Sequence, residues 1–275
     1  MDGTTFHATP AVMQRASGQL VVSSKRRGES SVLDGLRQVG CLKARFPRPV
    51  HAGWLDIVTL NTSGGIAGGD VLDAAFAVGF GAQVSIAAQA AERFYRALPG
   101  SAASSVRTRI AVAEGAAAEW LPQETILFDR CAVRRHLSVE LAADARFLGV
   151  ESLIFGRAAM GEVVEHASLR DTIEVRREGR LLLHDAVRLE DEVAAILRRP
   201  AAAHGARAVA TIVYVAADAE GKLDPLRALG IAASAWDGML IARMLAPDGA
   251  ALRAGVIDAL HVLRGGRALP RVWMC

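Results

Sequence analysis

The sequence predicts a mainly β protein, built of antiparallel sheets stacked on each other with a few helices placed mostly toward the C-terminus. Three observations carry this. Period-two alternation of apolar and polar residues recurs in short runs from about residue 18 to about residue 215. Breaks containing glycine separate the runs, at Gly79-Phe80-Gly81, Glu114-Gly115 and Glu178-Gly179. Few helical patterns fall between them, which argues for sheet on sheet rather than βαβ units.

Taken in order, Leu72, Ala74, Phe76 and Val78 share one face of a run, and Val84 and Ile86 begin the next. Residues 106–112 alternate strictly. Residues 133–141 alternate too, with one misfit: Arg135 stands on the apolar register. Residues 211–216 read as a more fully buried strand. After about Lys222 the pattern turns helical. Asp224-Pro225-Leu226-Arg227 reads as a helix start, with proline at the first helical position. Leu252, Val256, Ile257, Leu260 and Leu263 form one helical stripe, with Asp248 as its N-cap and Gly265-Gly266 as its stop. No linker, repeat or low-complexity stretch divides the chain, so residues 1–275 read as a single domain, with residues 1–15 expected to be loosely ordered.

Composition narrows the function. Hydrophobic residues make up 52% of the 275, yet aromatics only 5%. Packing must therefore rest on Val, Leu, Ile and small residues, and so apolar a chain implies surface covered by protein partners. No stretch approaches the roughly 20 apolar residues a membrane helix requires. The first ten residues lack the basic start and apolar run of a signal peptide, so a cytoplasmic location is expected. Cys41, Cys131 and Cys275 are odd in number and contain no CxxC pair, against a disulfide framework or a cysteine zinc site. The net charge is +3, with lysine only at Lys25, Lys43 and Lys222. Arginine thus supplies most of the positive charge, and it is the residue suited to carboxylate pairing and interfaces. The arginines form no stripe interleaved with aromatics, against nucleic-acid binding.

Four segments stand out. Residues 60–70 read LNTSGGIAGGD, and two glycine pairs free the backbone for positive φ or close approach. Asp70-Val71 stands where a phosphate loop requires Lys and then Ser or Thr, so the segment reads as a strand-to-strand connection. Residues 89–96, QAAERFYR, bring Glu92, Arg93, Tyr95 and Arg96 together, as a solvated turn or as a surface that docks a partner or the Asp70 loop. In residues 119–129, Pro122 breaks the strand between two apolar runs, and Glu119, Glu124 and Asp129 flank Trp120 and Phe128. Residues 151–162 carry Glu151 and a candidate ion pair, Arg157 with Glu162. Glu162, Glu165 and His166 match no zinc-protease motif, and no nucleophile elbow occurs.

Together these segments resemble the urease accessory protein D family. The resemblance rests on LNTSGGIAGGD at 60–70, QAAERFYR at 89–96, EWLPQETILF at 119–128, FGRAAMGE at 155–162 and the closing LPRVW at 269–273. It covers most of the chain from about residue 20. One departure is Ile86-Ala87-Ala88, where relatives often carry threonines. The resemblance implies a stack of strands like a β-helix and a protein that is not an enzyme. It implies binding to apo-urease and to accessory proteins F and G, the latter a GTPase, and nickel passing through an internal water-filled tunnel. No tightly bound cofactor is expected, only transient Ni²⁺. A conduit must not hold its ion, and carboxylates release a late first-row metal more readily than imidazole or thiolate clusters do. The candidate nickel path is therefore Asp70, Glu92, Glu119, Glu124, Asp129, Glu151 and Glu162. Arg93, Tyr95, Arg96 and Arg157 are candidates for partner binding or for pairing with those acids. Two other readings compete: a hydrolase using the acids near Glu124 and Asp129, and a protein-interaction module with no metal role.

Overall fold

The computed structural model describes residues 15–157 and 160–274. The expected loose order of residues 1–15 lies, apart from Arg15, outside the described residues. Strands alternate between two stacked sheets for most of the chain. They are β1 (Ser17–Arg27), β2 (Ser30–Gly40), β3 (Leu42–Arg45), β4 (Leu55–Asn61), β5 (Val71–Val78), β6 (Gln83–Ala88), β7 (Glu92–Phe94), β8 (Ser104–Val112), β9 (Ala117–Leu121), β10 (Thr125–Leu127), β11 (Ala132–Leu141), β12 (Arg146–Phe155), β13 (His166–Arg177) and β14 (Arg180–Glu192). There follow a short helix α1 (Val193–Arg198), β15 (Ala208–Val215), α2 (Leu223–Ala228), the hairpin β16 (Ala232–Trp236) and β17 (Met239–Ala246), and α3 (Gly249–Leu263).

The first sheet runs β14-β13-β11-β8-β5-β1-β2 and the second β16-β17-β15-β12-β9-β6-β4-β3. From β4 to β13 the chain crosses from one sheet to the other at nearly every strand. Each strand therefore returns to its own sheet in the same direction. The ladders β1–β5, β5–β8, β8–β11 and β11–β13 are all parallel, as are β4–β6, β6–β9 and β9–β12. This is the helically wound, β-helix-like arrangement. The expectation of antiparallel pairing holds only toward the outer ends, in β1–β2, β3–β4, β13–β14 and among β12, β15, β17 and β16. Parallel strands need a long crossover, usually a helix. Here the crossover is a strand of the opposite sheet, so a scarcity of helices between strands did not exclude parallel ladders.

Between the sheets lie two apolar clusters. One gathers Val22, Phe76, Ile86, Ile110, Val139 and Phe147. The other gathers Ile66, Phe94, Leu127, Val133, Leu153 and Leu169. A third covers the outer face of the second sheet, where α2, α3 and Trp273 pack on Val150, Ile212 and Leu240. Asp248 caps α3 as expected, its Oδ1 accepting the Ala251 N–H at 2.9 Å. Gly265 and Gly266 end it with positive φ. Helix α2 begins at Leu223, so Pro225 falls third rather than first, still within the turn whose N–H groups lack helical partners.

Candidate functional site

The four sequence motifs converge on a step in the second sheet. β6 stops at Ala88, and the chain turns aside through residues 89–91 before resuming as β7. β9 stops at Leu121, Pro122 follows, and the strand resumes as β10. Proline donates no ladder hydrogen bond, so the run must break there. β12 passes the step uninterrupted, pairing with β9 through residues 146–149 and with β10 through residues 153–155. β10 pairs with β7, and Phe94 bridges to Ile66 of the glycine-rich loop. At this step a cavity of about 360 Å³ separates the two inter-sheet clusters. Leu20, Leu72, Phe94 and Leu137 give it apolar walls, while Asn61, Glu92, Gln123, Thr125, Arg135 and Glu151 give it polar ones. Its lining includes the exposed Gln89 and Ala90, which mark a mouth.

The glycine-rich loop connects β4 to β5, and the second motif docks on it. Gly65 has φ +143°, and a Cβ there would lie 2.4 Å from the Tyr95 ring. The Tyr95 hydroxyl donates to the Gly64 carbonyl at 2.8 Å, and the Ile66 N–H donates to the Arg93 carbonyl at 2.7 Å. Glycine is thus required at 65 by both conformation and close approach.

At the inner end of the cavity sits a buried ionic cluster. Arg135 projects inward from β11 and lies in register beside Asp171 of β13. Its Nε and Nη2 donate to Asp171 Oδ1 and Oδ2 at 2.8 and 2.5 Å. Its Nη1 donates to Thr125 Oγ1 at 2.8 Å and contacts Glu151 Oε2 at 2.7 Å across the sheet gap. Trp120 Nε1 donates to Glu151 Oε1 at 2.8 Å. The Glu151 and Asp171 side chains are each only 7% exposed, so these contacts take the place of solvent. Burial raises the Glu151 carboxyl above its ordinary range, against the pull of Arg135, and the nearby Asp171 charge raises it further.

Glu92 is the second carboxylate on the cavity wall. It is half-buried, with Asn61 Nδ2 donating to Oε2 at 3.1 Å. Burial raises its pKa, with the Asn61 hydrogen bond working the other way. A folded pKa above the unfolded one means the folded state loses stability as pH rises and the carboxyl ionises. Glu92→Gln is therefore expected to be more stable than the wild-type chain at neutral pH. The difference should vanish at about pH 3, below the unfolded carboxyl's ordinary pKa, where it is largely protonated in both states. Thermal melts at the two pH values decide this, and a Gln variant less stable at neutral pH would contradict it.

The other five candidate acids do not line the cavity. Asp70 is a clasp, its Oδ1 accepting the Ala16 N–H and its Oδ2 the Ala67 N–H, both at 2.8 Å. Glu119 points to the outer face of the second sheet, where Arg264 and Arg267 hold it. Glu124 pairs with Arg253 of α3 at 2.8 Å. Asp129 Oδ1 accepts the N–H groups of Glu165 and His166, and Arg96 lies 3.7 Å from its Oδ2. Glu162 pairs with Arg157 at 2.7 Å, and Arg157 lies over the Phe128 ring at 4.3 Å. Of the candidate cations only Arg93 belongs to the cavity lining. Burial keeps both described thiols protonated, raising Cys41 and pushing Cys131 up to about 12.

The sequence reading did not assign Arg135, Asp171 or Asn61 to the site. A signal existed for the first two. Arg135 breaks the apolar register of its strand, and Asp171 interrupts the buried series Ala167, Leu169, Ile173 and Val175.

A two-sheet coil of strands around a carboxylate-bearing cavity defines a wound-sheet protein rather than a doubly wound nucleotide-binding fold. Residues 16–274 match the family model described as UreD urease accessory protein. Among similar proteins is the urease accessory protein UreD of Dinoroseobacter shibae, 45% identical over 95% of this chain and 93% of that protein. That of Roseobacter denitrificans is 42% identical over 97% of each. That of Xanthobacter autotrophicus is 41% identical over 96% of this chain and 91% of that protein. The chain belongs to the UreD family of urease accessory proteins, and its role is in urease maturation.

Proposed function

We propose that this chain is a non-enzymatic scaffold that binds apo-urease and accessory proteins F and G and conducts Ni²⁺ toward the urease active site. GTP hydrolysis falls to accessory protein G. The observation that carries this reading is the cavity, a space with both apolar and polar walls kept between two apolar clusters and bearing the carboxylates of Glu92 and Glu151. Filling that space with aliphatic side chains would give a denser core. Isolated oxygen ligands suit an ion that must be let go.

The hydrolase reading draws no support from the geometry. Glu124 is tied to Arg253 and Asp129 to backbone N–H groups, and neither faces the cavity. A pure interaction module leaves the carboxylate-lined chamber without a purpose.

The test is nickel content and activity of urease matured with variant chains. Ala90→Trp, at the exposed mouth, and Glu92→Gln, on the wall, are expected to lower nickel per urease active site while apo-urease is still captured. Because Glu92→Gln is expected to stabilise the fold, a loss of activation in it does not trace to unfolding. Full nickel loading with both folded variants would sink the conduit.

A further inference from the structure

The polar line continues past the cavity. Beyond Arg135 and Glu151 lies a second space of about 10 Å³, lined by Glu151, Asp171, Asp185 and Thr211 together with the aliphatic Leu153, Ile173, Val187 and Val209. That is about the volume one water requires. Asp185 on its wall pairs with Arg243 at 2.6 Å. Glu151 lines both spaces. Arg135 sits at the junction, two-pronged on Asp171 and single-pronged on Glu151. With all three groups ionised, one cation faces two carboxylates where water is scarce. The cluster thus carries one uncompensated negative charge, which favours a further cation or a proton. Each Glu151 oxygen accepts one of the contacts described and has a second lone pair.

We propose that Arg135 is a resident counter-cation of the cargo path, a positioning residue that yields Glu151 to an arriving divalent cation and then reclaims it, so that the cation crosses from the cavity to the inner space without being retained. The inference rests on the conduit reading above. A guanidinium suits the task because it stays charged at physiological pH and offers no lone pair to a metal. Glu151 and Asp171 without a competing cation form an oxygen pair of the kind that holds divalent ions. Arg135 weakens that hold by repulsion and by occupying the same oxygens.

Equilibrium dialysis of the full chain against Ni²⁺ tests this. Arg135→Gln removes the resident cation and keeps both carboxylates. It is expected to bind Ni²⁺ about ten-fold more tightly than the wild-type chain, and adding Glu151→Gln should abolish the gain. Unchanged affinity in the folded Arg135→Gln variant overturns the proposal. Arg135→Lys keeps the charge and the reach but loses the fork, and is expected to fold and to bind with intermediate affinity. Wild-type affinity there overturns the proposal too. So does a tight Ni²⁺ site in the wild-type chain that Glu151→Gln removes, because no resident cation would then be weakening it. The conduit is judged separately, by the nickel content of urease matured with Ala90→Trp. Normal content there with tighter binding in the Arg135 variants removes the conduit and leaves the charge competition. The reverse pattern removes the Arg135 role alone.

Discussion

Glu119→Ala is expected to destabilise the chain by about 3–5 kcal/mol, because it leaves a buried arginine without its counter-charge. Arg264 meets Glu119 through two parallel contacts, Nε to Oε1 and Nη2 to Oε2, each 3.0 Å. Arg267 Nη2 adds a third at 2.6 Å. The Arg264 and Glu119 side chains are 1% and 3% exposed, so water cannot replace the lost partner. Arg264 Nη1 also donates to the carbonyls of Arg267 and Ala268, so the cluster fastens the segment after α3 to the second sheet. Urea titration followed by circular dichroism measures the loss. Arg267→Ala should cost less, because that side chain is a third exposed and its charge is more screened. A Glu119→Ala variant within about 1 kcal/mol of wild type would refute this account, since an unpaired buried charge costs several times that.

The same residue shows where sequence reading reaches its limit. Glu119 and Trp120 are neighbours on β9, and alternation sends Trp120 toward the cavity and Glu119 toward α3. All five residues of β9 are buried, because one sheet covers one face and the helices cover the other. A strand covered on both sides loses the period-two signal that assigns its faces. Strands with one wet face were readable. Residues 106–112, 133–141 and 72–78 alternate in the sequence and form β8, β11 and β5. The hairpin of β16 and β17 fell in a region read only for helices, and Ala232-Ala233-Ser234-Ala235 offers little apolar contrast between its faces.

Carboxylates were harder to assign than strands. Asp70 and Asp129 spend themselves on backbone N–H groups, and sequence does not distinguish a turn clasp from a free ligand. Glu92 and Glu151 reach the cavity because strands break beside them, at residues 89–91 and at Pro122. The proline was legible. The coincidence of the two breaks was not, because it depends on which strands become neighbours in the wound sheet. The two breaks are the physical cause of the cavity.

Arg135→Leu is the second large effect, expected to cost about 3–5 kcal/mol. It strands two carboxylates, each 7% exposed, against an aliphatic side chain. Glu151 would keep only the Trp120 N–H, and Asp171 would lose both of its arginine contacts. Combining Arg135→Leu with Glu151→Gln and Asp171→Asn should recover much of the loss, because no unpaired charge is then left in the interior. Comparison of wild type, Arg135→Leu and the triple variant by chemical denaturation separates two explanations. If the triple variant is as stable as wild type yet urease matured with it lacks nickel, the charges are kept for transport and not for folding. If the triple variant remains as unstable as Arg135→Leu alone, the cluster holds the sheets together and its place beside the cavity is incidental.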